Sequence, residues 1–312
     1  MALALTFPGQ GSQAVGMGKA LADSISEAKA VFDEVDDALG EKLSQVMWEG
    51  PEDKLTLTAN AQPALMAVSI AAIRALEARG FSVSKAKCVA GHSLGEYSAL
   101  CAAGSISLAD TARLLRIRGN AMQAAVPVGK GAMAAIIGLE ADVLGTICKE
   151  AAGEGVCQIA NDNGGGQLVI SGSKAEVEAA CAAASENGAK RAILLPVSAP
   201  FHSALMVPAA DVMADALSKV EVKAPAVPVI ANVLAAPASD PDEIRRLLVE
   251  QVTGRVRWRE TVEWMAANGV TQSVEAGSGK VLTGLARRIA REISGVTVGT
   301  PEEVDAAIAA IG

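Results

Sequence analysis

The sequence predicts an α/β fold, a parallel-sheet domain carrying an inserted ferredoxin-like unit. Three observations predict it. Short apolar runs alternate with longer stretches of helical periodicity near both ends of the chain, the pattern of a parallel sheet flanked by helices. Between them the order changes to β-α-β-β-α-β, the split arrangement of a ferredoxin-like unit. No internal repeat or low-complexity tract interrupts either pattern.

The elements follow in order. Ala2–Phe7 is an apolar run ended by Pro8-Gly9, a buried strand turning into a loop. Val31, Val35 and Leu39 recur every four residues before Gly40 and mark a helix. A long helix spans Asn60–Arg79, stopped by Gly80 and capped by Asn60 or a neighbour. Lys87–Gly91 is a second buried strand, followed by helices at Leu94–Ala103 and Leu108–Ala125, the latter stopped by Pro127. The inserted unit reads as strand Ala132–Gly138, helix Glu140–Ala152, strand Val156–Asn161, a turn at Gly164-Gly165-Gly166, strand Leu168–Ser171, helix Lys174–Asn187 and strand Arg191–Val197. Alternation then resumes with Ala204–Leu217, Val227–Asn232, Asp242–Thr253, Trp258–Ala267, Thr271–Glu275 and Gly279–Arg291. The division is therefore residues 1–127 and 198–312 for the large domain and 128–197 for the small one.

Of the 312 residues, 51% are apolar and 20% charged, enough apolar surface for a sizeable core. Aromatics contribute only 3%, so helices and sheet approach closely over small side chains. A net charge of −8, with no basic stripe interleaved with aromatics, argues against nucleic-acid binding. The basic clusters are local: Arg113/Arg116/Arg118, Lys190/Arg191, Arg255/Arg257/Arg259 and Arg287/Arg288. Such clusters usually mark solvated helix faces. Five scattered cysteines without a C-x-x-C pair, and only two histidines, speak against a metal site and against a disulfide framework. No apolar run reaches the ~18 residues a membrane span needs, and the start lacks a basic leader. A cytoplasmic protein without membrane contact is expected.

Gly91-His92-Ser93-Leu94-Gly95 fits G-x-S-x-G between a predicted strand and a predicted helix. Glycines on either side permit a sharp turn that projects the serine hydroxyl. The amide of Leu94, after the nucleophile, is then placed to receive an oxyanion. A serine needs a base. His92 precedes Ser93 on the strand end and points to the other side, so it supports the turn; His202, just beyond the inserted unit, remains. No acidic residue stands out as a third member, which leaves a carbonyl to orient the imidazole. Gly9-x-Gly11-x-x-Ala14 loosely fits a dinucleotide fingerprint, but Asp33 and Glu34 fall in a helix where a second strand should end. The Gly164–Gly166 turn lacks the Lys-Ser/Thr of a phosphate loop.

Phe7-Pro8-Gly9-Gln10-Gly11-Ser12-Gln13, Gly91-His92-Ser93-Leu94-Gly95-Glu96-Tyr97, Arg116-Ile117-Arg118-Gly119 and Phe201-His202-Ser203 occur in that order. Together they resemble the malonyl-CoA:acyl-carrier-protein transacylases of bacterial fatty acid synthesis, over essentially the whole chain. The resemblance implies an α/β-hydrolase-like domain with an inserted ferredoxin-like (βαββαβ) subdomain. It implies Ser93 as nucleophile, His202 as base oriented by a main-chain carbonyl, and Gln10 with the Leu94 amide as oxyanion hole. Arg118, on sequence alone one of three arginines on a helix, would hold the substrate's free carboxylate. Gln251 would support the histidine, and Phe201 would crowd an α-methyl group. The implied partners are malonyl-CoA and holo acyl carrier protein, with no cofactor and a monomeric chain. A thioesterase sharing G-x-S-x-G, a non-catalytic carrier-docking module and a polyketide transacylase are the rival readings.

Overall fold

A computed structural model describes residues 2–197 and 199–311. Its elements are β1 (Ala2–Phe7), α1 (Lys19–Ser24), α2 (Ser26–Leu39), α3 (Leu43–Glu49), α4 (Glu52–Thr56), α5 (Thr58–Glu77), β2 (Cys88–Gly91), α6 (Gly95–Ala102) and α7 (Leu108–Ala125). Then come β3 (Gly131–Ile137), α8 (Ala141–Ala152), β4 (Cys157–Asp162), β5 (Gln167–Ser173), α9 (Lys174–Glu186) and β6 (Arg191–Leu194). The remainder is α10 (Val207–Ser218), β7 (Val229–Ala231), β8 (Ala236–Ala238), α11 (Pro241–Thr253), α12 (Trp258–Ala267), β9 (Val270–Ala276), α13 (Val281–Ile289), β10 (Ser294–Val298) and α14 (Pro301–Ile311).

Six strands form one sheet in the order β10-β9-β1-β2-β7-β8. All neighbours are parallel except the last, where β8 returns antiparallel on β7. The expected parallel sheet thus carries one antiparallel edge strand, too short at three residues to show in the apolar pattern. β1 and β2 sit at the centre and are apolar on both faces because both faces are covered. Leu3, Leu5 and Phe7 of β1 join the core under α5, while Ala4 between them joins a second core with Trp258 and Leu282. α5 is buried along almost its whole length, which its nearly all-apolar sequence allows. It begins at Thr58, not Asn60; Asn60 instead donates to the Lys54 carbonyl (2.8 Å) and accepts from Arg116 (2.5 Å).

The other sheet is antiparallel, in the order β4-β5-β3-β6. Its strands lie within residues 131–194, and it shares a third core with α8 and α9. Ser198, where the sequence places the boundary of the large domain, is outside the described residues. β4 is tied to the connection between α11 and α12 by backbone bonds across Val256, whose N–H donates to Ala160 O (2.8 Å) and whose carbonyl accepts from Asp162 N–H (2.9 Å).

Two close approaches fix the ground on which the site stands. A Cβ on Gly91 would fall on the Gly95 carbonyl, and one on Gly95 would fall on the Phe7 carbonyl, so the turn after β2 tolerates only hydrogen at both positions. Gly119 lets α7 lie against the start of α5, where a Cβ would sit 2.5 Å from Ala59 Cα. Gly119→Ala is expected to destabilise the protein by about 1–3 kcal/mol, the usual range for overpacking, as read from urea unfolding. Wild-type stability in that variant would mean that the helices have room to part.

Candidate active site

In an open parallel sheet, sites collect beyond the carboxyl ends of the strands. Phe7 and Gly91 are paired neighbours at the ends of β1 and β2, and β7 ends beside them at Ala231. Gln10, Ser93 and Asn232 therefore follow three adjacent strand ends. Ser93 has φ 54°, in the left-handed region that non-glycine residues rarely enter. Such strain persists only where the surroundings enforce it. Here Ser93 N–H donates to Asn232 Oδ1 (2.8 Å), and Asn232 Nδ2 donates to Gly91 O (2.7 Å), clamping both sides of the turn.

The Ser93 hydroxyl lies 2.7 Å from His202 Nε2. His202 Nδ1 faces two carbonyls, Gln251 O at 2.8 Å and Gly254 O at 3.1 Å. Carbonyls only accept, so the proton resides on Nδ1 and Nε2 is left as the acceptor for the serine hydroxyl. His202 is buried, also at positive φ (56°), and its pKa is lowered to about 3. Burial is the main cause and the nearby Arg118 charge the next, while the Gln251 carbonyl opposes them. The imidazole is neutral throughout the ordinary pH range.

Arg118, on α7, is 1% exposed. Its Nη1 donates to Gln62 Oε1 (2.6 Å) and its Nη2 to Gln251 Oε1 (2.8 Å) and Ser93 Oγ (3.2 Å). Its buried Nε–H has no partner, nor has the hydroxyl of Tyr97, whose ring lies 5.7 Å from the guanidinium carbon. Gln251 is wholly buried and joins everything else: its amide nitrogen donates to Ser93 O (2.9 Å) and Glu96 Oε2 (2.8 Å). Glu96 Oε2 also accepts from Asn232 N–H (3.0 Å). Burial raises the Glu96 pKa to about 7.

Every residue singled out in the sequence borders this place, though not in one way. Ser93, Leu94, Gln10, Arg118, Phe201, His202 and His92 line one cavity of about 410 Å³. The backbone N–H groups of Gln10 and Leu94 take no partner among the described residues. His92 does not bond the Ser93 hydroxyl; its Nε2 meets Asn163 Oδ1 at 2.9 Å, tying the turn to the residue after β4. Sequence reading missed Gln62, Glu96 and Asn232. Gln62 had a signal, being an amide in an otherwise apolar helix, and Asn232 stands at a strand's carboxyl end. Among the described residues no three His, Cys, Asp or Glu side chains cluster as a metal site, and no helix is long and apolar enough to cross a membrane.

A family model for the acyl transferase domain matches residues 5–300. The malonyl CoA-acyl carrier protein transacylase of Bacillus subtilis (strain 168) is 46% identical over 98% of this chain and 96% of its own. That of Escherichia coli (strain K12) is 47% identical over 98% of each. The chain belongs to this acyltransferase family. The transacylase fold is shared in full: the acyl-carrier-protein-S-malonyltransferase of Bartonella henselae superposes with a TM-score of 0.98 at 66% identity, covering 99% of both chains. A malonyl-transacylase in complex with its type II PKS acyl-carrier protein gives 0.96 at 42% identity, covering 99% of this chain and 100% of that one.

The two shifted groups leave opposite marks on stability. The unfolded chain protonates His202 near pH 6.5 and the folded one only near 3, so folding stability rises with pH across that window. Glu96 holds its proton up to about 7 when folded, so its contribution falls as pH rises from 4.5 to 7. Melting temperatures measured from pH 3 to 7 are expected to show a shallower acid loss in His202→Ala than in wild type. Glu96→Gln is expected to remove the opposing fall above pH 4.5. Identical slopes in all three proteins would contradict these burial effects.

Proposed function

We propose that this enzyme moves a malonyl group from malonyl-CoA to the phosphopantetheine thiol of acyl carrier protein, supplying fatty acid synthesis. The observation that carries the reading is the convergence of a neutral imidazole and a buried guanidinium on one strained serine hydroxyl, in a chain whose relatives bear that name. In this reading the large sheet and its helices, residues 1–127 and 198–312, form an α/β-hydrolase-like catalytic domain. Residues 128–197 form a ferredoxin-like subdomain that walls the cavity.

The cycle has two halves. His202 Nε2 takes the Ser93 proton as Oγ bonds to the thioester carbon. The oxyanion is received by the unpartnered N–H groups of Gln10 and Leu94. The C–S bond then breaks, and the imidazolium returns the proton to the departing coenzyme A thiolate. In the second half the carrier's thiol gives its proton to His202, attacks the malonyl-serine ester, and Ser93 regains a proton as its C–O bond breaks. A buried imidazolium is a strong acid here, which suits it to protonating the leaving group.

Arg118 supplies the selectivity. A carboxylate entering a poorly hydrated cavity is costly unless paired, and a guanidinium binds it with two parallel bonds. Pairing also offsets the Arg118 charge that holds the His202 pKa down, so an acid-tailed substrate strengthens its own base. Phe201, on the cavity wall, crowds an α-methyl group, worth about 1–3 kcal/mol at most. The relative solved with a polyketide carrier favours a second reading for the acceptor; transfer rates to fatty-acid and polyketide carriers decide between them.

Mixing the enzyme with malonyl-CoA is expected to give a covalent malonyl adduct on Ser93 by intact mass and peptide mapping. A thiol should discharge it faster than water does. Arg118→Ala removes charge-assisted bonds worth about 1.5–3 kcal/mol each, so malonyl transfer should fall at least ~100-fold while relative use of acetyl-CoA rises. His202→Ala should lose about 10²–10⁴-fold in acylation, the span of general-base catalysis. An unmodified Ser93, or an unchanged acyl preference in Arg118→Ala, would overturn the reading.

A further inference from the structure

The arginines at and just beyond the end of α13, and the glycine turn between β4 and β5, play no part in the chemistry above. Arg287, Arg288 and Arg291 are all exposed, and none forms an ion pair among the described residues. The single hydrogen bond of the three runs from Arg288 Nε–H to Gly284 O at 3.3 Å, within its own helix. Beside them lies the Gly164–Gly166 turn, with φ of 71°, 59° and 74°. The turn presses on α13 so closely that a Cβ on Gly165 would stand 3.2 Å from Arg288 Cβ. The N–H groups of Gly165 and Gly166 take no partner among the described residues. The carboxylate at the base of the turn is already engaged: Asp162 accepts from Gly164 N–H (3.2 Å) and from Arg259 (2.9 Å).

Helix polarity accounts for arginines in a last turn, and tight packing accounts for the glycines. Neither accounts for three unpaired guanidinium groups gathered with the free Gly165 amide around one pocket. Arg288 borders that pocket and also the cavity of Ser93, so the two adjoin at its side chain. On another side the cavity runs past Gln10 and Thr56 into a pocket lined by Glu52 and Asp53. A coenzyme A thioester carries its reactive carbon at one end and several phosphates at the other. With the thioester at Ser93, these pockets offer two ways out for the phosphates, and the acidic one repels them.

We propose that Arg287, Arg288 and Arg291, with the Gly165 amide, form a subsite for the phosphate groups of coenzyme A. The inference rests on the acyl-CoA reading above, and its test has an arm that needs no turnover. Binding of coenzyme A itself, followed by titration calorimetry at low salt, should weaken in R287A/R288A/R291A by about tenfold or more, each lost charge-assisted bond counting for roughly that much. The wild-type affinity should fall as salt is raised, and the variant's should fall less. With malonyl-CoA the KM should rise by the same factor while kcat changes little. With malonyl-N-acetylcysteamine, which has no phosphate, the variant should match wild type far more closely. Equal losses with both thioesters would make the arginines structural and overturn the subsite. So would unchanged coenzyme A binding, or a loss confined to transfer onto the carrier protein, which would mark a protein-docking surface instead. If wild type binds coenzyme A through these arginines yet never acylates Ser93, the subsite stands and the transferase reading fails.

Discussion

Two main-chain carbonyls, those of Gln251 and Gly254, decide what His202 is able to do. By accepting from Nδ1 they hold the proton on the far side of the ring and leave a lone pair 2.7 Å from the Ser93 hydroxyl. A carboxylate in their place would also fix the tautomer, but its charge would stabilise an imidazolium. Neutral carbonyls at the end of α11 give the orientation with a weaker pull, and burial together with the Arg118 charge keeps the ring uncharged. The proposed chemistry depends on that choice of partner.

Around this contact the buried polar groups form one connected set. Gln251 meets Arg118, Ser93, Glu96 and His202, through side chain for the first three and main chain for the last. Asn232 completes the set by holding Ser93 N–H and Gly91 O. Buried networks of this kind are rigid when satisfied and costly when half-satisfied. The exceptions here are informative, since the backbone amides of Gln10 and Leu94, which line the cavity, are donors that take no acceptor among the described residues. A site with spare donors is complementary to something carrying negative charge.

Much of this was legible in the sequence, for identifiable reasons. The buried strands β1 and β2 show as short, mostly apolar runs, and α7 and α12 begin and end where the sequence pattern predicts. Ser93 declares itself by flanking glycines, and His202 by the scarcity of histidine. What was hidden depended on contacts distant in sequence. No local pattern says that Gln251 will reach Ser93, 158 residues away. The edge strand β8 has only three residues, and β10 alternates glycine and polar residues with valine, so neither gives a clear period. Arg118 is indistinguishable by composition from Arg113, which lies exposed one and a half turns earlier on the same helix.

The chain divides its labour along the cavity. Ser93, His202, Arg118 and Gln251 all come from segments outside residues 131–194, whereas the antiparallel sheet supplies cavity wall, through residues such as Met133, Ala135 and Val169. In the proposed reading, reaction and fit are thereby entrusted to separate stretches of polypeptide. In that reading, substitutions of the wall residues Met133, Ala135 and Val169 reshape the space offered to an acyl chain without replacing any reacting group. A lineage built on this plan is free to change its diet without relearning its chemistry.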